Sequence, residues 1–211
     1  MGSIVRVDQQ RPSRFELDEA VATLAFEGVV VMPTDSVYGI GCAATPGNSA
    51  HERIFKIKQR ERSQTLPWLI AKASDLATYG ADVPDYATAL AVRFWPGALT
   101  LVVRASNAVP TEYQAADGTI ALRCPNSNLV RQLARSLDVP LAVTSANTHG
   151  EAAATTASGI ERAIVEAADL TLDAGPAPVG VASTIVSCLG PEPQILREGA
   201  ISTEQIMFAA R

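Results

Sequence analysis

The chain has 211 residues, 47% of them hydrophobic and 18% charged, and a net charge of −5. This length suits one domain with one sizeable core, and the acidic balance argues against coating nucleic acid by bulk charge, although a local basic patch remains compatible with it. Three scattered cysteines (Cys42, Cys124, Cys188), two histidines (His51, His149) and no apolar run near the ~20 residues of a membrane span argue against a disulfide framework, a protein-built zinc site and membrane insertion, so buried free thiols and a reducing cytoplasm are expected.

Residues 1–12 read as a loose start. Ser13-Arg14-Phe15-Glu16 has the spacing of a capping box, with the serine accepting from the first turn and the glutamate reaching back. The helix that follows carries Phe15, Ala22, Leu24, Ala25 and Phe26, and Gly28 ends it. Val29-Val30-Val31-Met32 is a continuous apolar run, the pattern of a fully buried strand, and Pro33 stops it. Thr34-Asp35-Ser36-Val37-Tyr38-Gly39-Ile40-Gly41 then gathers hydroxyls, a carboxylate and glycines. It reads either as a polar turn or as a strand-end loop of the kind on which α/β folds build sites.

Ser49-Ala50-His51-Glu52 repeats the capping box and opens a helix with Ala50, Ile54 and Ile57 on one face. His51 falls in the first turn, where a solvated position is expected. Arg53, Lys56, Lys58, Arg60 and Arg62 follow. A helix C-terminus favours cations by ~0.3–1 kcal/mol each, which accounts for Lys56 and Lys58. Arg60 and Arg62 lie beyond the helix, where repulsion opposes clustering unless an anion is held. Residues 66–71 read as a strand, with Pro67 at an edge or a start. Asp85 caps a helix to about Arg93, and Trp95-Pro96-Gly97 breaks it. Trp95 reads as a core anchor or, alternatively, a base-stacking platform. Residues 98–103 form a strand and 105–118 a loop or flap.

Thr119-Ile120-Ala121-Leu122-Arg123 is a strand ending in a cation, which reads as a carboxylate clamp or as a structural ion pair. Asn126 or Ser127 caps a helix to about Leu137, with Leu129, Val130, Leu133 and Leu137 inward. A buried strand at 140–143 delivers Thr144, Ser145 and Asn147, whose polar groups need partners and can also bond locally in a turn. Residues 151–158 read as flexible, and Ser158-Gly159-Ile160-Glu161 caps the next helix. Strands at 169–173, 183–187 and 193–197, a loop at 175–180 and a short helix capped by Ser202 complete the chain. About six helices and eight or nine strands, not strictly alternating, predict an α/β (α+β) fold: a single domain over residues 1–211, built on an open twisted mixed sheet with helices packed on it.

No GxxxxGK[ST] loop, GxGxxG turn or G-x-S-x-G elbow occurs, and the histidines are poorly placed for a Ser-His-Asp triad. What remains is a cationic pocket without a nucleophile, formed where Lys58–Arg62 faces Thr144–Asn147. Lys58, Arg60 and Arg197 would neutralise phosphates, and Ser145, Asn147 and Thr119 would orient them. Arg123 with the hydroxyls of Thr34, Tyr38 and Ser183 would suit a small zwitterion. Such a site acts by proximity, which supplies ~7–11 kcal/mol, and by charge stabilisation. That chemistry suits nucleotidyl transfer, with pyrophosphate leaving alongside Mg²⁺.

Seven motifs occur in the order seen in YrdC-like proteins: Pro33-Thr34-Asp35-Ser36-Val37-Tyr38-Gly39, Lys58-x-Arg60, Phe94-Trp95-Pro96-Gly97, Ala121-Leu122-Arg123-Cys124-Pro125, Ser145-Ala146-Asn147, Ser183-Thr184 and Leu196-Arg197-Glu198-Gly199. Over about residues 14–201 the chain resembles the L-threonylcarbamoyladenylate synthases (TsaC type). The resemblance implies an open twisted sheet with a concave basic cavity. It also implies a reaction of L-threonine, bicarbonate and ATP, with Mg²⁺ carried by ATP and none held by the protein. The product is threonylcarbamoyl-AMP, bound for N6-threonylcarbamoyladenosine in tRNA through downstream transfer proteins, with direct tRNA contact left open. Residue by residue, it implies threonine contacts from Thr34, Arg123, Ser145 and Ser183. ATP contacts fall to Arg60, Thr119, Asn147, Arg197 and Thr155, with Lys58 facing the phosphates. Gln64 stands where the family often has Lys or Asn, and can still hydrogen-bond phosphate. Ser36 replaces a common threonine, and Thr148-His149-Gly150 stands where Ser-Gly is usual. Ending at 211, the chain is expected to lack the C-terminal domain of the longer branch. Two rival readings stand beside this: a non-catalytic RNA-binding or ribosome-associated paralogue, and a carbamoyl-adenylate enzyme with another acceptor.

Overall fold

A computed structural model describes residues 2–211. In chain order the elements are β1 (Ser3–Arg6), α1 (Arg14–Ala25), β2 (Val30–Met32), β3 (Gly39–Ala43), α2 (Ser49–Lys58), β4 (Trp68–Leu69), α3 (Leu76–Tyr79), β5 (Gly80–Ala81), α4 (Asp85–Phe94), β6 (Leu99–Ala105), β7 (Thr119–Arg123), α5 (Asn128–Leu137), β8 (Leu141–Ser145), α6 (Arg162–Ala167), β9 (Leu170–Asp173), β10 (Thr184–Ser187), β11 (Gln194–Arg197) and α7 (Thr203–Ala209). The strands join in one sheet, ordered β1-β9-β2-β3-β8-β4-β7-β6-β10-β11, with β5 beside β6. Pairing is mixed: β1/β9, β2/β9, β4/β7 and β6/β10 run parallel, while β2/β3, β3/β8, β4/β8, β6/β7 and β10/β11 run antiparallel. The expected mixed sheet with packed helices is therefore the architecture found.

Alternation along the strands sends side chains to two cores. On one face, Leu24 of α1 and Leu129 and Leu133 of α5 pack with Val30, Met32, Leu141 and Val143. On the other, Ile54 of α2, Leu90 of α4, Ile164 of α6 and Ile206 of α7 pack with Ile40, Cys42, Leu101 and Val186. Leu99, Leu101 and Val103 belong to this second core, so Thr100 between them points to the first face. On this first face Gly39 of β3, Leu69 of β4, Thr100 of β6, Val143 of β8 and Ile185 of β10 also line the cavity described below.

Several local expectations need correction. The start is not loose: β1 pairs with β9 from Ser3↔Leu170 to Arg6↔Asp173, and Val7 N–H continues the ladder to Asp173 O. Residues 39–43, read with the preceding loop, form β3. Gly39 and Gly41 belong there because the Val143 side chain lies over both; a Cβ on either would come within 2.5 or 2.6 Å of it. The strand expected at 66–71 is reduced to Trp68–Leu69. Asn48, not Ser49, caps α2, accepting from Ala50 N–H, while Ser49 bonds Glu27. Pro84 precedes α4 in place of an Asp85 cap, and α6 begins at Arg162, beyond the Ser158 box. His51 is 3% exposed, packed between Phe55 and Tyr113, and burial lowers its pKa. The Ser13 and Ser202 boxes form as expected. Trp95 is a core anchor, its indole N–H donating to Leu99 O, and all three thiols are free and buried. Among the described residues no helix is long and apolar enough to cross a membrane.

Candidate functional site

Segments from five places meet on the first face of the sheet: the loop after β2, the turn between α2 and β4, the end of β7, the turn leaving β8, and β10 with Arg197 of β11. They enclose a cavity of about 420 Å³ whose lining includes Thr34, Tyr38, Arg60, Gln64, Thr100, Arg123, Ser145, Asn147, Ser183 and Arg197. Most of the expected site residues are thus brought together. Lys58, Thr119 and Thr155 are absent from this lining.

Arg123, at the end of β7, is 6% exposed. Its Nη2 donates to Asp35 Oδ1 at 2.5 Å, Nη1 to Ser36 Oγ at 2.8 Å, and Nε to Gly97 O at 3.0 Å. Burial pulls the guanidinium below its usual pKa, and the Asp35 charge opposes that pull. Of the two sequence readings of this arginine the structural ion pair is found, and a hydrogen on each terminal nitrogen is left over, the geometry a carboxylate clamp needs. Asp35 and Ser36 had no assigned role, although both stand in the quoted loop.

Ser183 bonds through Oγ to Thr100 Oγ1 at 2.9 Å, and its carbonyl accepts from Arg197 Nε and Nη2 at 3.2 and 2.8 Å. Thr100 was missed; a lone threonine between Leu99 and Leu101 was the available signal. Arg60 donates from Nη1 to Thr144 Oγ1 at 3.1 Å and from Nε to Gln64 O at 2.9 Å. Burial depresses the Arg60 pKa, and the Arg197 charge depresses it further; burial alone depresses that of Arg197. Among the described residues neither arginine has a carboxylate partner, because their donors meet only carbonyls and hydroxyls. Two desolvated cations on one cavity wall, repelling each other, are an arrangement that a bound anion would relieve. His149 and Glu151, neither foreseen, also line it, and Glu151 is the carboxylate of the lining among the described residues.

Other expectations fail on direction. The Tyr38 hydroxyl points away from the cavity, donating to Gly175 O at 2.7 Å and accepting from Ala174 N–H at 3.0 Å; burial raises its pKa to about 12. Thr34 lines the cavity, but its hydroxyl closes its own loop, donating to Val37 O at 2.6 Å. Thr119, at the far end of β7 from Arg123, gives its hydroxyl to Asp117. Thr155 is exposed, on a segment tied through its carbonyl to Ala177 N–H. Lys58 is buried beneath the turn after β8, its ammonium bonded to backbone carbonyls. Arg62 is not part of the cavity lining; it pairs with Glu52 and stacks over Phe55.

The arrangement offers fixed cations for a polyanion next to a buried, polar pocket for a small carboxylate, with no residue placed as a nucleophile. Among the described residues no group of three or more His, Cys, Asp or Glu could hold a metal ion.

A family model, Sua5_yciO_yrdC with the description "Telomere recombination", matches residues 22–199. The threonylcarbamoyl-AMP synthase of Bacillus subtilis is 35% identical over 192 residues, covering 90% of this chain and 55% of that protein. A putative threonylcarbamoyl-AMP synthase of Mycobacterium tuberculosis is 36% identical over 187 residues, covering 89% of this chain and 85% of that one. The structure of P. abyssi Sua5 complexed with L-threonine matches with a TM-score of 0.89 at 30% identity, over 98% of this chain and 60% of that one. The chain spans about half the length of the Bacillus relative and most of the Mycobacterium one.

Proposed function

The chain belongs to the Sua5/YciO/YrdC family, and from that premise we propose that it is an L-threonylcarbamoyladenylate synthase, a nucleotidyltransferase acting on L-threonine, bicarbonate and MgATP. The observation that carries the proposal is the convergence of Arg60 and Arg197, which lack carboxylate partners among the described residues, with the half-satisfied Arg123 in one cavity. The family alone would not distinguish a synthase from a fold relative; this distribution of charge favours one.

In this reading the threonine carboxylate takes the remaining N–H groups of Arg123. Ser183, with Ser145 and the Thr34 loop, surrounds the rest of the amino acid. The amine and bicarbonate combine to a carbamate with loss of water. A carbamate oxygen then attacks the α-phosphorus of ATP, and the bond to the β-phosphate oxygen breaks. Pyrophosphate leaves with the electron pair, and the acyl adenylate remains. Arg60 and Arg197 stabilise the charge that builds on the phosphates, and Gln64 and Asn147 lie beside them. Fixed donors in a partly desolvated site are worth about 3–4 kcal/mol each in such steps. Mg²⁺ enters as part of the substrate, held by the triphosphate. The labile product calls for a transfer protein that passes the threonylcarbamoyl group to tRNA.

The test is pyrophosphate release by the purified chain with MgATP, with and without L-threonine and bicarbonate. Release that requires both supports the reading. Release indifferent to threonine, or none, with RNA affinity that falls steeply with salt, would favour an RNA-binding paralogue.

A further inference from the structure

Lys58 ends α2, two positions before Arg60, yet the two cations do different things. Lys58 is 1% exposed. Its Nζ donates to Ser145 O at 2.5 Å and to Asn147 O, with Asn147 Oδ1 at 3.4 Å. An ammonium has three hydrogens, so the Lys58 amine has none left for a phosphate. Its backbone carbonyl accepts from His149 N–H at 3.0 Å, binding the same turn a second way. The Asn147 amide closes the knot by donating to Thr148 O at 2.9 Å and Glu151 O at 2.7 Å. Burial and the Arg60 charge lower the Lys58 pKa to about 8, opposed by Glu161.

We propose that Lys58 is a positioning residue: it folds the 145–151 turn around its ammonium, so that Ser145 and the Thr144–Arg60 pair face the cavity, and it does not touch substrate. Two carbonyls aimed at one buried cation reverse the chain within three residues. Without that cation they would be buried acceptors lacking a partner, and the turn would open. The Thr144 hydroxyl that orients Arg60 sits on the residue just before this turn. The inference rests on the synthase reading for the identity of the ligands and not for the shape of the turn.

Amine labelling of the intact chain with acetic anhydride tests this, read by fragment mass spectrometry. The chain has three lysines, and Lys56 and Lys72 are exposed internal references. Lys58 should label at less than about a tenth of the Lys56 rate, because a buried amine reacts only through local opening. MgATP or L-threonine should leave that ratio unchanged. An amine facing the cavity would be open to the reagent and covered by bound nucleotide, so labelling of Lys58 at a rate near that of Lys56 that MgATP suppresses would overturn the proposal. In Lys58→Met, amides 147–151 should exchange at least about tenfold faster, and L-threonine binding without nucleotide should weaken. Unchanged exchange and threonine affinity, with only the binding of a non-hydrolysable ATP analogue weakened, would also overturn it. The labelling result decides alone if the variant does not fold. Neither measurement needs turnover, so absent pyrophosphate release would count against the synthase reading and leave this one standing.

Discussion

Asp35 and Arg123 form an ion pair, Oδ1 to Nη2 at 2.5 Å, with both side chains less than a tenth exposed. A buried pair of this kind adds little net stability, but removing one partner leaves an uncompensated charge, at a cost of about 3–5 kcal/mol. Asp35→Asn should therefore lower the melting temperature markedly. In protein that remains folded, the KM for L-threonine should rise, because the guanidinium loses its anchor. Unchanged stability and threonine KM would mean that the pair does not set the pocket.

Arg60→Ala should lower kcat/KM for ATP by about a hundredfold or more while leaving the melting temperature nearly unchanged, since a fixed donor acts on charge that develops in the transition state. Arg60→Lys should recover only part of the loss. A lysine cannot reach Thr144 Oγ1 and Gln64 O with one planar fork and still face a phosphate. Steady-state kinetics in pyrophosphate release would check both.

Ser183→Ala removes one hydroxyl from the Thr100–Ser183 pair. The expected result is about a tenfold weaker L-threonine affinity, the equivalent of one hydrogen bond of about 1.4 kcal/mol. Calorimetric titration with threonine alone would measure it, and the affinity for a non-hydrolysable ATP analogue should stay close to that of the wild type.

Tyr38→Phe separates two roles that the sequence could not. Its hydroxyl bonds to the 174–175 turn and not into the cavity. The substitution should cost about 1–3 kcal/mol of stability in urea unfolding and leave the threonine KM almost unchanged.

Stability should fall as pH rises above about 9. Burial raises the Cys42 and Cys188 thiols to about 12 and Cys124 to about 11. A group whose folded pKa is raised contributes stability that is whole below its unfolded value and is lost as pH climbs towards the folded one. Lys58 has the opposite sign. Its depressed pKa means that the unfolded chain binds the extra proton between about 8 and 10.5, so its term rises with pH across that window. The thiols outnumber it, and melting curves from pH 7 to 10.5 should turn downward past 9. Replacing Cys42 with Ala should shallow that descent.

Local signals in the sequence were sound where the structure is locally determined. The Ser13 and Ser202 boxes need only neighbours a few residues away, and the run ending at Met32 is apolar throughout because both of its faces are buried. β1 was hidden because its residues are largely exposed at a sheet edge and its ladder partner lies far along the chain. Gly39 and Gly41 read as a loop because the side chain that excludes a Cβ there, Val143, belongs to another strand. His51 looked solvated for the same reason: Tyr113 covers it. In the cavity the residue types were legible and their directions were not. Lys58, Arg60 and Arg62 look alike in sequence, yet one is buried under a turn, one faces the cavity and one pairs with Glu52.

The ladder between Ser3 and Leu170 also sets a timetable. During synthesis β1 emerges long before β9 exists to receive it. At about 5–20 residues per second, it waits on the order of ten seconds or more. Through that interval β1 is a strand without a ladder, and docking it brings together the most distant parts of the chain, among the slowest kinds of contact to form. The opposite rim, β10 with β11, closes over a short hairpin as soon as it is made. Ribosome-bound intermediates that stop short of residue 170 should therefore hold β2 to β8 with the first strand still unpaired.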